Sequence, residues 1–335
     1  MREETVSSGF ILGLLGYAVS RGADKDALLA SAGVEAAALQ DRDTRLPYAQ
    51  YVALMHAAKQ ATGDSALALH FGEAVDVSDI SIVGLIGQAS ETMLDAFEQL
   101  NRYVSLIVDV ALTGENRFVM ARDATGLWFT DMRADPNAFP ELTESAFSHI
   151  IAGPRRSNFP EWIKEVRVTH ARPPHADEYE RIFRTPVVFS SDRNAMQMEE
   201  SIVTVKVGRL PRYVFGVLTD HADALLRELE TSVTTRGRVE SLLMPILHKG
   251  EANMDAIAAK LGFSRQTLYR SLKAENVTFE QVLDDLRQRL ALEYLRARKT
   301  TVNETAYLVG FSDPAAFSRA FKRWTGKSPS EMRGS

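Results

Sequence analysis

Apolar positions in the last third of the chain follow helical spacing, and one such pattern is written twice. The first copy runs Met254-Asp-Ala-Ile-Ala-Ala-Lys-Leu-Gly262-Phe263-Ser264 and on to Leu268-Tyr-Arg270-Ser-Leu272-Lys273. The second runs Val302-Asn-Glu-Thr-Ala-Tyr-Leu-Val-Gly310-Phe311-Ser312 and on to Phe317-Ser-Arg319-Ala-Phe321-Lys322. Ala258 matches Ala306 and Gly262 matches Gly310; Arg270 matches Arg319 with one residue inserted after the second turn. Each copy predicts a helix, a tight turn and a second helix, a plan that places the second helix in a DNA major groove.

The residue types suit that plan. Ala258 and Ala306 let the paired helices approach closely. Gly262 and Gly310 accept the positive φ of a sharp turn, and Phe263 and Phe311 fill the angle behind it. Ser264 and Ser312 are expected as N-caps of the second helices, and Pro314 fits a first helical turn. Leu268 with Leu272, and Phe317 with Phe321, face inward at i and i+4. Between the copies, Thr278-Phe-Glu-Gln281 and Thr301-Val-Asn-Glu304 read as capping boxes. Phe279, Val282, Leu283, Leu286, Leu290 and Tyr294 recur at helical spacing. They predict a connector helix from about 279 to 298, about 30 Å long, close to one turn of B-DNA at about 34 Å.

The first part of the chain has a mixed pattern. Phe10–Val19, Ile80–Ala89, Met93–Ile107 and Glu141–Ile151 predict helices, with Pro47 at the start of another and Asp64 capping a short one through Phe71. The period changes over 108–134. Val108, Val110 and Leu112, then Phe118 and Met120, then Leu127 and Phe129 alternate as strands. Val166 with Val168 and Val187–Phe189 predict strands flanking a helix near Ala176–Phe183. Phe215, Leu218, Ala222, Leu225 and Leu229 follow spacings of 3, 4, 3 and 4, a heptad seam on one helix. That seam serves either packing on the first domain or self-association into a homodimer. Thr231–Arg238 is polar and contains Gly237. The expected division is therefore a first domain over 1–230, a linker over 231–238 and a second domain over 239–335.

Charge sharpens this division. The whole chain carries −5, yet residues 236–335 hold 17 Lys and Arg against 11 Asp and Glu, giving +6. The first 235 residues hold 22 against 33, giving −11. Basic charge thus sits with the duplicated motif, as phosphate binding requires. No apolar run is long enough to span a bilayer, and Phe10–Val19 lacks the basic lead-in and cleavage site of a signal peptide. No membrane partner is expected, and a cytoplasmic setting is. The chain has no cysteine, which removes disulfides, thiolate metal sites and cysteine nucleophiles.

Residues 236–335 resemble the DNA-binding domain of the AraC/XylS family of bacterial transcription regulators, and 301–333 is close to that family's signature. The resemblance implies two helix-turn-helix motifs, about 254–275 and 301–324, joined by a long helix. It implies base contacts from Gln266, Tyr269 and Arg270 of the first motif and from Ala315, Ser318 and Arg319 of the second. Arg265, Lys273, Lys322 and Arg323 would meet phosphates. Pro314, Ala315 and Ala316 offer bases no hydrogen bonds, so the first motif is expected to carry most direct readout. The first domain resembles the arabinose-binding-type sensor domain of some members, through Gly84-Leu-Ile-Gly87, Leu94-Asp-Ala-Phe97, Tyr103 and the Tyr179-x-x-Ile-Phe183-x-x-Pro-Val187 run. The fold class that follows is an α+β sensor domain of helices and a small sheet before an all-α domain.

Trp128, Phe129 and Trp162, with the glycine-rich apolar helices, are candidate pocket residues; the alternative is that they form core. His170 and His175, followed by Asp177 and Glu178, are read as a solvated loop rather than a metal site. No phosphate loop, dinucleotide fingerprint or nucleophile elbow is present. DNA-repair methyl acceptors that share the DNA-binding module need a cysteine, which this chain lacks. The expected protein is therefore a regulator and not an enzyme. It is expected to have no cofactor and no metal. Its expected partners are promoter DNA, RNA polymerase and a small-molecule effector of unknown class. A regulator whose first domain only dimerises or binds protein is the alternative.

Overall fold

The computed structural model describes residues 4–156, 159, 161–208, 210–249, 252–297 and 300–334. Two compact units divide at the Leu226/Arg227 bond. The first begins with β1 (Thr5–Ser7), α1 (Ser8–Ser20), α2 (Lys25–Ala32), β2 (Arg45–Pro47), α3 (Tyr48–Thr62) and α4 (Leu67–Ala74). It continues through α5 (Val77–Ile80), α6 (Ile82–Ala89), α7 (Met93–Ile107), β3 (Val108–Asp109), β4 (Phe118–Asp123) and β5 (Gly126–Asp131). Then come α8 (Glu141–Arg156), β6 (Ile163–Arg167), α9 (Ala176–Phe183), β7 (Val187–Val188) and β8 (Ala195–Met198). The helix α10 (Arg212–Val233) runs across the division.

Two sheets organise the first unit. β2-β1-β3 form a small antiparallel sheet, and β4-β5-β8-β6-β7 a larger one in which only β6 and β7 pair in parallel. Phe118 and Phe129 stack across β4 and β5 at 5.0 Å, and Phe97 of α7 lies 4.8 Å from Phe129. Phe147, Trp162, Val166 and Tyr179 complete this core. Helices α4 and α8 cross where a Cβ on Gly72 would stand 2.4 Å from Ser148 Cβ, so the contact needs a residue without a side chain.

Several expectations change here. Val108 is in a strand, but β3 ends at Asp109, and Leu112 makes only an isolated bridge to Arg133. Trp128, Phe129 and Trp162 are core residues rather than pocket lining. The Trp128 ring lies under the guanidiniums of Arg193 and Arg167, at 4.2 and 4.8 Å. His170 and His175 lie in a loop whose Ala171, Arg172 and Pro174 are exposed, as expected, but both imidazoles are half-buried. His170 Nε2 is 2.9 Å from the Tyr179 hydroxyl, and the His175 ring stacks on Tyr179. Tyr179 is fully buried and its hydroxyl donates to Glu144, so both rings are drawn inward.

The second unit holds α11 (Thr235–Leu243), a 3-10 segment Met244–Lys249, α12 (Met254–Lys260), α13 (Arg265–Ala274) and α14 (Phe279–Ala297). It ends with α15 (Val302–Leu308), α16 (Pro314–Thr325) and α17 (Pro329–Gly334). The stretch expected as a linker is helical on both sides of Thr234. That residue caps α11 by accepting from the Gly237 N–H. Glu275, just past α13, accepts from the backbone N–H of Thr235 and Arg236 at 2.6 and 2.9 Å. A carboxylate at a helix start meets the positive end of the dipole and two orphan donors. These two caps account for a helix beginning within a polar sequence.

One apolar core holds this unit together. Leu268 and Leu272 of α13, Phe317 and Phe321 of α16, and Val239 and Leu243 of α11 are all buried in it. The connector α14 buries Phe279, Val282 and Leu286, then Ala291 and Leu295; Leu283, Leu290 and Tyr294 are only partly covered. Residue 298, the expected end of the connector, lies outside the described residues.

Candidate nucleic-acid interface

Two helix pairs, α12 with α13 and α15 with α16, present the residues singled out by the repeated pattern. The small residues at the crossings, Ala258 and Ala306, are buried. Gly262 and Gly310 stand in the turns with φ +70° and +83°. The two turns are built alike only in backbone. A Cβ on Gly262 would meet nothing within 4 Å, whereas one on Gly310 would lie 2.3 Å from the Leu247 carbonyl oxygen. Arg287 of α14 donates to the Val309 and Gly310 carbonyls at 3.1 and 3.3 Å. Its guanidinium also covers the Phe311 ring at 4.8 Å. The connector therefore clamps the second turn directly.

Caps fix where each helix starts. Ser264 accepts from the Thr267 N–H at 3.1 Å and begins α13. The expected cap Ser312 is replaced by Asp313, whose two carboxylate oxygens accept from Ala315 and Ala316 N–H, each at 3.0 Å. The inserted residue shifts the start by one position, and Pro314 takes the first helical site. The box at Thr278 and Gln281 closes in both directions, as does that of Thr301 and Glu304. Backbone and hydroxyl donors of Thr301 hold the Glu304 carboxyl below its ordinary value.

The outward face of α13 carries Arg265, Gln266, Tyr269, Arg270 and Lys273, all exposed. Tyr269 is 52% exposed although it is large and apolar. Lys273 Nζ lies 5.9 Å from its ring. On α16, Ala315, Arg319, Lys322 and Arg323 are exposed and Ser318 is half-buried. The Ser318 hydroxyl donates back to the Pro314 carbonyl at 2.9 Å, so it is engaged within its own helix. Arg270 and Arg319 occupy equivalent places on the two helices, as the repeat predicts.

Carboxylates already face several of these cations. Arg265 pairs with Asp255 of α12 at 2.5 Å, Arg323 with Asp284 of α14 at 3.0 Å, and Arg319 with Asp313 at 3.9 Å. All three guanidiniums are well exposed, so each pair is worth little in stability, about 0–1 kcal/mol. Asp284 also accepts from the Trp324 indole at 3.3 Å. The alternation of apolar residues gives no signal for these pairs.

Behind this face the framework is polar but buried. Glu240 of α11 is 4% exposed and accepts from Arg236 at 3.0 Å and from Arg289 of α14 at 2.7 Å. Tyr307 and Leu308, exposed on α15, were not singled out by the repeat, which marks buried positions best. On α10, Ala222 is buried, Leu229 is buried, and Phe215, Leu218 and Leu225 are half-covered. Asp223, beside Ala222, accepts from the Tyr103 hydroxyl at 2.6 Å and from Arg102 at 3.0 Å, tying the helix to α7. Among its described residues, Tyr213 and Val217 are exposed large apolar side chains.

A basic helical unit that displays two capped helices on a shared core, following a mixed first unit in the chain, is the layout of a DNA-binding regulator. The chain belongs to the AraC transcription regulators. The family description "Arabinose-binding domain of AraC transcription regulator, N-term" matches residues 22–206, and a "Helix-turn-helix domain" matches 257–335. It is a DNA-binding transcriptional regulator with an arabinose-binding-type first domain. Among named proteins, it is 28% identical to the Ornithine utilization regulator of Pseudomonas aeruginosa, covering 98% of this chain and 96% of that one. It is 39% identical to the HTH-type transcriptional activator RhaS of Escherichia coli over 25% of this chain and 30% of that one. The crystal structure of CdpR from Pseudomonas aeruginosa aligns with 97% of this chain and 98% of its own, at 20% identity and a TM-score of 0.44. Among the described residues no helix is long and apolar enough to cross a membrane, and no three His, Asp or Glu side chains converge as metal ligands.

Proposed function

We propose that the protein is a sequence-specific, ligand-responsive activator that reads DNA mainly through α13. The observation that carries this reading is the outward face of α13, where Gln266, Tyr269 and Arg270 are exposed together between Arg265 and Lys273. Gln and Arg can each make paired hydrogen bonds to a purine edge, and flanking cations suit phosphates. On α16, the Ala315 methyl is exposed and Arg319 is held only by a loose, exposed pair with Asp313, while the Ser318 hydroxyl is engaged. This favours thymine-methyl contact and phosphate grip through Lys322 and Arg323 over hydrogen-bonded readout. The connector has 19 residues, about 28 Å of helix, which suits two readers in successive major grooves on one face of a duplex.

Signal and output complete the reading. A small molecule bound by the first domain, taken as 1–230, shifts the second domain, 239–335, between arrangements on a promoter or against RNA polymerase. The ligand must favour one arrangement over the other. The names of the relatives support a metabolite-linked activator, with ornithine not specified at this identity. A homodimer forms through α10 if its seam is shared, and its anchoring to α7 through Asp223 favours packing within the chain. Neither an enzymatic activity nor a cofactor enters this reading, and the protein acts in the cytoplasm. Footprinting the full chain on promoter fragments is the test. Two protected major grooves one turn apart support it, and a single protected groove refutes the paired-reader geometry. A thermal-shift screen of metabolites separates a sensor from a first domain that only dimerises.

A further inference from the structure

Two chambers in the first unit share a wall of Val77, Leu100, His149 and Ile150. The larger, among α6, α7 and α8, has about 850 Å³ of empty space, part of it open to solvent. The smaller, bounded by Phe10, Val104, Ile107, Phe118, Leu142 and Ala146, has about 450 Å³ of empty space, part of it likewise open to solvent. Both are predominantly apolar, and Gly87, where a Cβ would meet nothing within 4 Å, leaves room in the larger.

Buried polar groups without partners interrupt this apolar lining. Arg117 lines the smaller chamber and is 4% exposed. Its Nε is 3.5 Å from Asp131 Oδ1, and among the described residues neither Nε nor Nη2 has a hydrogen-bond partner. Asp131 is already engaged by Arg133 at 3.4 Å and by the Thr143 hydroxyl at 3.0 Å. Two guanidiniums thus share one carboxylate, and the three groups together carry a net charge of +1. Nearby Tyr48 does not offset it, because burial pushes its phenol up to about 12. His149, in the shared wall, is 7% exposed. Its Nδ1 is 3.0 Å from the Val75 carbonyl, and its Nε2 is buried with no partner among the described residues. Burial pushes the ring down to about 4, against the pull of the Val75 carbonyl, so it is neutral near pH 7.

We propose that these chambers form an effector site for a small monocarboxylate with an apolar body, its carboxylate accepting from Arg117. A hydroxyl or N–H on the same molecule would donate to His149 Nε2. The inference rests on the sensor reading of the first domain and narrows it to a ligand class. A sugar needs many convergent polar groups, and these walls offer few. A cation is repelled by Arg117, and a neutral lipid leaves the Arg117 donors unmet. A phosphate dianion exceeds the single charge to be neutralised.

The test uses the purified full chain, with calorimetric titration of matched pairs: hexanoate with hexanamide, octanoate with octanamide, and phenylacetate with phenylacetamide. At least one acid is expected to bind saturably and raise the melting temperature, with its amide bound at least tenfold more weakly. Arg117→Gln should erase the acid-over-amide preference while leaving the Asp131–Arg133 pair. Ala146→Leu fills the smaller chamber and should block binding in a chain whose circular dichroism is unchanged, which keeps the test decisive if Arg117→Gln fails to fold. Equal binding of acid and amide, or binding that survives Ala146→Leu, overturns the proposal. A neutral or cationic metabolite as the sole ligand also overturns it while leaving metabolite sensing intact. Silence across a broad library, acids included, removes the sensor reading as well.

Discussion

Replacing each turn glycine by alanine makes a controlled comparison. Gly262 and Gly310 share a positive φ, so either substitution forces an L-residue into the left-handed region at about 1–2 kcal/mol. Their surroundings differ. The new methyl at 262 meets open space, while at 310 it falls 2.3 Å from the Leu247 oxygen and 3.2 Å from its carbonyl carbon. These are backbone atoms, so relief requires the segment Met244–Lys249 to move, and the Leu247 side chain is buried in the core. Overpacking of this kind adds about 1–3 kcal/mol. The expected losses are therefore about 1–2 kcal/mol for Gly262→Ala and about 2–5 kcal/mol for Gly310→Ala. In a unit of roughly this size each kcal/mol lowers the melting temperature by about 4–8 °C. Thermal and urea unfolding of the full chain, followed by circular dichroism, measures the difference. Promoter binding is assayed well below both transitions. A Gly310→Ala chain as stable as Gly262→Ala would refute the close contact at Leu247 and the clamped turn with it.

Other expectations follow from the same geometry. Arg270→Ala should cost about 1–3 kcal/mol of binding and relax preference at one base; equal weakening on every sequence, in a competition assay, would deny it a base-reading role. Lys322→Ala should lower the slope of log affinity against log salt by about 1 without changing preference, measured by titrations at several salt concentrations. Glu240→Ala, which leaves Arg236 and Arg289 without their shared acceptor, should destabilise the second unit by about 1–3 kcal/mol in urea unfolding. Because burial holds His149 neutral down to about 4, the unfolded chain takes up a proton on this residue first as pH falls. Stability from this source is complete above about pH 6.5, and its loss approaches about 3 kcal/mol by pH 4. The stability difference between wild type and His149→Gln, followed from pH 7 to 4, should shrink accordingly, and a constant difference would refute it.

What the sequence discloses is mostly local. The turn glycines, the crossing alanines and both capping boxes can be read because each depends on residues within four positions. Even there, the one-residue insertion moved the α16 cap from Ser312 to Asp313, since side-chain reach rather than alignment selects a cap. Contacts distant in sequence leave no such trace. Glu275 starts α11 from 40 residues away, and Glu240 joins α11 to α14 across 49. Strand β8, Ala-Met-Gln-Met, lacks the branched and aromatic residues that mark strands, although it lies between β5 and β6 in the larger sheet. The chambers leave no mark in the sequence for a related reason. Their polar signature is Arg117 and His149, ordinary residues in the sequence until burial strips them of partners. The large aromatics that looked like a lining fill the core instead.

The carboxylates beside Arg265, Arg319 and Arg323 bear on how the protein searches a chromosome. On the proposed reading each of these cations meets DNA with a carboxylate already beside it, so few mobile anions need to leave the protein when it docks. The ionic-strength dependence should then come almost wholly from cations shed by the nucleic acid. A stray polyanion must displace three aspartates to gain the same contacts, which weakens indiscriminate sticking more than binding at a site where base edges add their share.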